Sequence, residues 1–535
     1  MADQESSDDN SGRSMGERMG LAALLLSASI FLSRILGFIR EAAVAYLHGA
    51  TASTDAYYAA FTLPDLMNYF LAGGTLSITF IPLFSSYISK DDEEGGWKLF
   101  SNIATTMGSV LFAFVILLEL LAPYFIPILN PGFDDPQQLE MAIWMTRIVI
   151  PAQLAFYLGG LIQATLFVRE VFWPSAVAPL IYNVCIILGG VFLEPWFGIA
   201  GFSVGVLAGA FLGPLGLPLW AARRDIKYRP RVEPTNDDFK TFVALTIPLM
   251  IGVSLLTVDE WLLRYFGSHI EGAITWLNDA RKLMLVIFAI IGQAAGQAAL
   301  PYLTRLYHEG KTDEMGEMLA RNLQRVGFLA AIGAAGLIVA SEPLVYMVFR
   351  RGAFTAADAQ QTSALVVFFA LGLVSWTIQS LGVRGFYARK NTLTPMIIGT
   401  VVVVIALPVY AYLFDRFGAA GLATATSIGI TLNAVGTITV YRIQTGELPA
   451  LRILKGIARG ILFGAVCGLA GWGVERAAHA NLAVNLDNTF HALGLGVTMG
   501  IAFFAAGGLL ALVYRPPELE TVLEKVRARL PGGES

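Results

Sequence analysis

Long apolar runs separated by short polar segments limit most strongly how this chain can fold. A run of about 20 mostly apolar residues can cross a bilayer as a helix, and breaks at Pro, Gly and charge clusters leave fourteen such runs in the 535 residues. Only 14% of the residues are charged, against about a quarter in soluble proteins. We therefore predict an all-α integral membrane protein, because lipid cannot satisfy the open edges of a sheet. The predicted spans are 21–46, 55–88, 98–128, 138–168, 173–194, 199–222, 240–266, 271–305, 314–348, 357–388, 394–414, 419–443, 453–477 and 488–514.

The composition and motifs exclude several classes of protein. The formal net charge is −4, so no basic field points to nucleic acid. Cys185 and Cys467 lie in apolar runs, where they are expected to act as small hydrophobic side chains. The sequence has no GxxxxGK[ST] loop, HExxH motif or GxSxG motif. We expect no enzymatic activity, no metal or other cofactor and no use of ATP, so energy would come from an ion gradient, the membrane potential or consumption of the product.

The distribution of Lys and Arg predicts the orientation. Residues 1–19 lack the features of a secretory signal and are expected to form a disordered tail. If this tail is cytoplasmic, the loops on its side and the carboxyl tail hold twenty Lys and Arg, and the opposite loops hold five. Because cytoplasmic loops are enriched in positive charge, both termini are predicted to be cytoplasmic.

A repeat of about 220 residues predicts two similar lobes. The segment FGIAG at 197–201 recurs as FGAAG at 417–421, and Arg169 matches Arg389 at the same offset. Six predicted spans separate each pair, so the halves are parallel repeats related by an axis along the membrane normal. The predicted organisation is a tail (1–19), an N-lobe with spans one to six (20–222), a basic linker (223–239), a C-lobe with spans seven to twelve (240–445), spans thirteen and fourteen (446–514) and a cytoplasmic tail (515–535).

Ionisable residues inside predicted spans are the candidate functional residues, because an ionisable group at mid-bilayer is costly and usually functional. Arg34 and Arg40 in span one are about 240° apart around the helix, but their long side chains could converge on one cavity. Arg40 and Glu41 point to different sides and are not expected to pair. Further candidates are Asp55 in span two, Asp259 and Glu260 in span seven, and Arg281 and Lys282 in span eight.

Each candidate also has a plainer interpretation. Arg34 and Arg40 could form structural salt bridges, and Asp55 could reach the lipid headgroups. A cavity lined by Arg and Lys favours an anionic cargo such as a phosphate, since guanidinium groups bind phosphate through paired hydrogen bonds. A scaffold without transport activity is the alternative from a different functional class.

Three segments carry a resemblance to a known family. The stretch SRILGFIREAAVAYLHGATASTDAYYAAFTLPDL at 33–66, RRGAFTAADA at 350–359 and GFYARKNTLTP at 385–395 resemble the signatures of the MurJ/MviN lipid II flippases. The family belongs to the multidrug/oligosaccharidyl-lipid/polysaccharide exporter superfamily, and the number of spans and the repeat are similar to it.

The resemblance implies a function and a location. The chain is expected to move lipid II, the undecaprenyl-pyrophosphate-linked disaccharide-peptide, between the leaflets of the bacterial inner membrane by alternating access. Membrane lipids and the cell-wall synthesis machinery are the other partners implied. A flippase for another polyprenyl-linked oligosaccharide, or a drug exporter of the same superfamily, remains an alternative.

The resemblance also assigns roles to individual residues. It implies that Arg34, Arg40 and Lys282 engage the pyrophosphate and that Asp55 is an essential acid. We group Glu41 with Asp55 as an acid involved in gating.

The sequence departs from the family pattern at positions near these residues. Asn68 and Gly73-Gly74 stand where the family commonly has Arg and Glu-Gly. The chain therefore lacks one cation of the family's substrate-binding site. Arg281, beside Lys282, is expected to offset this loss in a site that includes Asn68. Ala406 and Tyr410 align near a polar pair linked to sodium in some relatives. Asp259 and Glu260 are the remaining candidates for ion coupling, although Asp259 alone does not make a sodium site.

The last two spans and the tail carry separate patterns. Span thirteen has a glycine at every fourth position from Gly456 to Gly468, which allows close approach of another helix or of a lipid chain. Helix packing is the favoured interpretation, and a groove for the polyprenyl tail is the other. Leu519, Val522, Leu523, Val526 and Leu530 have helical spacing, which predicts a short amphipathic helix at the membrane surface.

Overall fold

The chain consists of helices joined by turns and loops in the part that its computed structural model describes, which comprises residues 15–72, 79–251, 255–446, 448–481 and 486–520. No strand occurs in these residues. The first half contains α1 (Met15–His48), α2 (Ala52–Ala59), α3 (Thr62–Ala72), α4 (Ile81–Ile88), α5 (Glu93–Leu129), α6 (Pro136–Val149), α7 (Ala152–Val168), α8 (Trp173–Phe192), α9 (Glu194–Phe197), α10 (Ala200–Ala210) and α11 (Leu217–Ala222). The second half contains α12 (Asp237–Ile251), α13 (Leu255–Gly267), α14 (Ala273–Phe288), α15 (Ala294–His308), α16 (Thr312–Val339), α17 (Ser341–Val348), α18 (Ala356–Ala388), α19 (Leu393–Thr445), α20 (Ala450–Asn481) and α21 (Thr489–Tyr514).

Ten helical segments of the described chain are long and apolar enough to cross a bilayer. The prediction of an all-helical, multi-pass membrane protein is therefore confirmed. Predicted spans eleven and twelve lie in the 53-residue α19, which is interrupted at Gly418 by a non-helical backbone. Predicted spans two and seven include 73–78 and 252–254, which lie outside the described residues. Helix α1 begins at Met15, so residues 15–19 are helical and the expectation that they belong to a disordered tail is wrong.

Two compact units divide the chain, and their boundaries differ from the lobes expected from the sequence. Among the described residues, the first unit comprises those up to Val44 and those within 56–129 and 133–252, and the second comprises 45–55, 130–132 and those after 253. The main division comes after the expected boundary at 239. Helix α12 lies in the first unit because Phe239 and Phe242 are buried in its aromatic core, together with Phe84 and Trp97.

The 220-residue offset recurs in the backbone conformation. Gly198 has φ 53° and ψ −139°, and Gly418 has φ 56° and ψ −133°. Both conformations lie in a region that is essentially restricted to glycine. The turns that follow α7 and α18 also match, since Glu170 and Lys390 have φ of 60° and 59°.

The glycines of predicted span thirteen pack against α16. A Cβ atom on Gly456 would lie 2.9 Å from the Gln324 carbonyl oxygen, and one on Gly460 would lie 2.6 Å from the Phe328 carbonyl oxygen. A Cβ atom on Gly464 would lie 3.1 Å from the Ala331 carbonyl oxygen, and one on Gly468 would lie 3.3 Å from a methyl group of Val339. The ridge therefore lies against α16, as the helix-packing interpretation expects.

The start of the carboxyl tail is anchored in the second unit. Glu518 is buried and its carboxylate accepts a hydrogen bond of 2.6 Å from Gln324. The guanidinium of Arg459 lies 3.3 Å from the same carboxylate. Leu519 packs on the apolar cluster around Phe328, Phe463 and the buried Cys467. Residues 521–535, with most of the predicted amphipathic helix, lie outside the described residues.

Candidate functional site

Arg34 and Arg40 lie on α1, where they differ in their surroundings. Arg34 is exposed, whereas the side chain of Arg40 is 24% exposed. Arg40 donates from Nε and Nη2 to Oε1 of Glu41 at 3.1 and 2.7 Å, and from Nη1 to Oδ1 of Asn183 at 3.3 Å. The expectation that Arg40 and Glu41 do not pair is therefore wrong, because the long Arg side chain folds back across one residue.

The pairing follows from the burial of Glu41. Its side chain is only 3% exposed, and a buried carboxylate is strongly unfavourable without a counter-charge and hydrogen bonds. Oε1 receives the Arg40 guanidinium, and Oε2 accepts a hydrogen bond of 2.6 Å from the hydroxyl of Tyr58. Tyr58 and Asn183 are not among the residues predicted from the sequence, since neither carries a charge that would distinguish it inside an apolar run.

Asp55, a residue of α2, contacts the amino-terminal end of α14 within the second unit. Its carboxylate accepts hydrogen bonds from the backbone N–H of Gly272 (2.6 Å), the N–H of Thr275 (2.9 Å) and the Thr275 hydroxyl (2.7 Å). The first N–H groups of a helix have no partner within the helix and attract negative charge. Asp55 is 1% exposed, so the interpretation in which it reaches the headgroups is wrong.

The short segment 45–55 is held in the second unit by close backbone contacts as well. The N–H of Ala353 donates to the carbonyl oxygen of Tyr46 at 2.8 Å. A Cβ atom on Gly352 would lie 2.1 Å from that oxygen, and one on Gly49 would lie 2.5 Å from the Ala353 carbonyl oxygen. Both glycines have positive φ. The RRGAF segment at 350–354 therefore provides the close contact surface for the end of α1.

Asp259 and Glu260 are partnered by arginines. The carboxylate of Asp259, which is 3% exposed, accepts hydrogen bonds from the Tyr410 hydroxyl and from Thr426, the latter at 2.7 Å. Nη2 of Arg281 lies 3.3 Å from its other oxygen. Glu260 pairs with Arg264 at 3.0 Å. The contacts of Tyr410 and Thr426 with Asp259 were not predicted, because the sequence does not show which distant polar side chains come together in the fold.

Arg281 and Lys282 are neighbours in α14 with different surroundings. The Arg281 side chain is 10% exposed and lies over the Trp376 ring at 5.8 Å. Lys282 is half-buried. Arg281 therefore acts first as the counter-charge of Asp259, a role that the sequence analysis did not predict.

The remaining candidates fall at or beyond the edge of the described residues. Asn68 is exposed near the end of α3, and Gly73-Gly74 lie outside the described residues. No group of three His, Cys, Asp or Glu side chains able to hold a metal ion occurs within the described part of the chain.

Comparison with known proteins gives consistent matches along most of the chain. Residues 44–510 match the family model "Lipid II flippase MurJ". A protein from Rhizobium meliloti (strain 1021) called probable lipid II flippase MurJ is 27% identical over 506 residues, covering 90% of this chain and 93% of the relative.

Two solved structures share the fold. A lipid II flippase MurJ in an inward closed conformation matches with a TM-score of 0.74 and 23% identity, covering 92% of this chain and 99% of its own. An inward-facing MATE family transporter of the MOP superfamily matches with a TM-score of 0.64 and 15% identity, covering 79% of this chain and 98% of its own.

Proposed function

The chain belongs to the MurJ family of lipid II flippases, and we propose that it moves lipid II from the inner to the outer leaflet of the bacterial inner membrane. The match of the family model to residues 44–510 carries this proposal. The fold of a transporter and the cationic residues on α1 support it. The proposal includes fourteen spans arranged as two parallel repeats plus two further helices, with both termini in the cytoplasm.

The proposed binding residues for the diphosphate are Arg34 and Arg40 on α1 and Lys282 on α14. Arginine suits a diphosphate because it keeps its charge and can donate two parallel hydrogen bonds. Exposure of Arg34 and partial exposure of Arg40 support their access to a ligand. Asn68 remains a proposed polar contact, and its exposure is compatible with that role.

Glu41 is proposed to act as the internal counter-ion of Arg40. In the structure the Arg40 guanidinium is bound to Oε1 of Glu41. A diphosphate would compete with this carboxylate for the guanidinium. The pair therefore stabilises the half-buried Arg40 cation before the lipid binds and forms again when the lipid leaves.

Asp55 is proposed to act in gating through its attachment to α14. Residues 45–55 belong to the second unit, although the chain before and after them belongs to the first. Three hydrogen bonds join Asp55 to the start of α14. A transport cycle that separates this segment from α14 would have to break them, so they favour the conformation seen here.

Sodium coupling through Asp259 is not part of the proposal. The Asp259 carboxylate already contacts Arg281, Tyr410 and Thr426. The Arg281 guanidinium supplies the positive charge that a bound cation would otherwise provide. We propose instead that the membrane potential or the consumption of lipid II on the outer side drives the cycle.

Complementation tests the proposed function. A bacterium depleted of its own lipid II flippase should grow when it produces the wild-type chain, and should not grow with Arg34→Ala plus Arg40→Ala present at the same level in the membrane. Arg442→Ala, at an exposed position near the end of α19, is the matched control and should rescue growth. A correctly inserted wild type that does not rescue would favour another polyprenyl-linked cargo, a drug or a scaffold. Host compatibility is controlled with a family member known to support growth.

A further inference from the structure

Two tryptophans stand at the ends of neighbouring helices in the first unit. Trp173 begins α8, and Trp220 lies near the end of α11. Their ring centroids are 5.6 Å apart in an edge-to-face arrangement. Trp173 is 38% exposed and Trp220 is 56% exposed, so much of this aromatic pair is uncovered.

Trp173 continues an exposed apolar stripe along α8. Val184, Leu188 and Val191 are 39–47% exposed. They follow Trp173 by 11, 15 and 18 residues, which places all four within about 60° of one another around the helix. An exposed apolar stripe on a membrane span faces hydrocarbon. Tryptophan at the end of such a stripe occupies the headgroup level, where its ring meets lipid on one side and water on the other.

One arginine packs on the aromatic pair, and a second arginine follows it in sequence. The Arg223 guanidinium carbon is 4.4 Å from the Trp220 ring centroid, within the range of a cation–π interaction. Nη1 of Arg223 donates to the Trp220 carbonyl oxygen at 2.7 Å, which fixes the side chain against the ring. Arg224 follows directly and is exposed.

The acidic residues nearby are neutralised by other cations. Glu93 contacts Arg169 and also Lys227, the latter at 3.2 Å, and Asp225 lies 3.4 Å from Arg169. Within the described residues, neither Arg223 nor Arg224 has a carboxylate oxygen within 4.0 Å. The positive charge of Arg223 is therefore left beside the tryptophans, and exposed Arg224 adds a second positive charge next to it in sequence.

The second repeat shows that the fold does not require this arrangement. Leu393 begins α19 at the position 220 residues after Trp173. The last turns of α19 contain Arg442 but no tryptophan. The aromatic and cationic group is therefore particular to the first repeat.

We propose that Trp173, Trp220, Arg223 and Arg224 bind the headgroup phosphate of an anionic phospholipid such as phosphatidylglycerol. The two guanidinium groups would contact the phosphate, and an acyl chain would lie along the α8 stripe below Trp173. The single net negative charge of this headgroup is opposite in sign to the two positive charges of the site. The site is separate from the proposed diphosphate-binding residues and does not depend on the transported cargo.

Lipid-dependent stabilisation of the purified full chain in detergent tests this proposal. Phosphatidylglycerol should raise the thermal unfolding midpoint, and phosphatidylcholine with the same acyl chains should not. Arg223→Gln plus Arg224→Gln should weaken phosphatidylglycerol binding about 30-fold, from about 1 kcal/mol for each cation near an anionic lipid. Native mass spectrometry of the lipid-bound species measures this directly.

Matched variants and a second ligand make the result decisive. Arg442→Gln plus Lys390→Gln removes two exposed cations elsewhere and should bind the lipid as the wild type does. Trp173→Leu plus Trp220→Leu keeps both arginines and should also weaken lipid binding. This variant provides the test if Arg223→Gln plus Arg224→Gln does not fold. Equal loss in the control would show general charge attraction and overturn the site. Equal stabilisation by glycerol phosphate would overturn the lipid as its occupant.

Discussion

Gly198 and Gly418 lie 220 residues apart and share a backbone conformation that other residues rarely adopt, with φ of 53° and 56°. Each follows the phenylalanine and precedes the Ala-Gly of the repeated segment. A short sequence match therefore corresponds to the same local chain path. At Gly198 the backbone conformation, and not the surrounding space, excludes a side chain, because a Cβ atom there would meet nothing within 4 Å.

Substitution of these glycines should destabilise the protein through the backbone. We expect Gly198→Ala and Gly418→Ala each to reduce the free energy of unfolding by about 1–3 kcal/mol. Gly508→Ala is the control, because Gly508 is helical and a Cβ atom there meets nothing within 4 Å. Thermal unfolding in one detergent measures all three. Unchanged stability at Gly198 and Gly418 would show that the strained conformation is not kept.

The Arg40–Glu41 pair should control how tightly the diphosphate is held. Glu41→Gln removes the charge that competes for Arg40, so we expect lipid II to bind about fivefold more tightly, from an ion pair of about 1 kcal/mol. Transport should become slower, because the pair no longer forms to aid release. Native mass spectrometry with added lipid II measures the binding.

Tyr58→Phe separates the counter-ion from the hydrogen bond. It removes only the hydroxyl that contacts Oε2 of Glu41, so the affinity for lipid II should change little.

Weaker binding of lipid II by Glu41→Gln than by the wild type would contradict the proposed competition between Glu41 and the diphosphate.

The Asp55 carboxylate should stabilise the protein through its hydrogen bonds to the start of α14. Asp55→Ala removes three hydrogen bonds to the start of α14 and should cost about 1–2 kcal/mol of stability. Asp55→Asn keeps one acceptor oxygen but places an NH2 group opposite another donor, so it should recover only part of this stability. Hydrogen exchange of the Thr275 amide, which donates to Asp55, reports on the cap directly.

A matched control for Asp55 is its exposed neighbour in space. Glu271 accepts one long hydrogen bond of 3.3 Å from Ala52, so Glu271→Gln should leave exchange at Thr275 unchanged. Wild-type exchange at Thr275 in Asp55→Ala would contradict the assigned role of the carboxylate.

Arg281 should make the protein insensitive to sodium. Replacing sodium with potassium should not change the stability or activity of the wild type. Arg281→Gln leaves Asp259 buried without its cation and should cost about 3–5 kcal/mol. Sodium should restore part of this loss in the variant, and Asp259→Asn plus Arg281→Gln should be less damaged than Arg281→Gln alone. Sodium-dependent stabilisation of the wild type would contradict the assignment.

The membrane class and most helix positions could be predicted from the sequence because apolar length is a local property. The pairing of Arg40 with Glu41 could not be predicted from the sequence. Helix geometry points adjacent side chains in different directions, but it does not take into account the length and flexibility of the arginine side chain. The contacts of Asp55 with Gly272 and of Asp259 with Tyr410 join residues more than 150 positions apart. Such contacts depend on how helices pack, which periodicity does not describe. The position of α12 in the first unit was missed for the same reason.

The transbilayer movement of lipid II is the most direct test of the account. The purified chain, reconstituted in vesicles that carry labelled lipid II in the inner leaflet, should expose the label to a reagent outside. Arg34→Ala plus Arg40→Ala should not, although it inserts equally, and Arg442→Ala should match the wild type. Label exposure by the double variant at the wild-type rate, or none by the folded wild type, would contradict the proposed flippase mechanism.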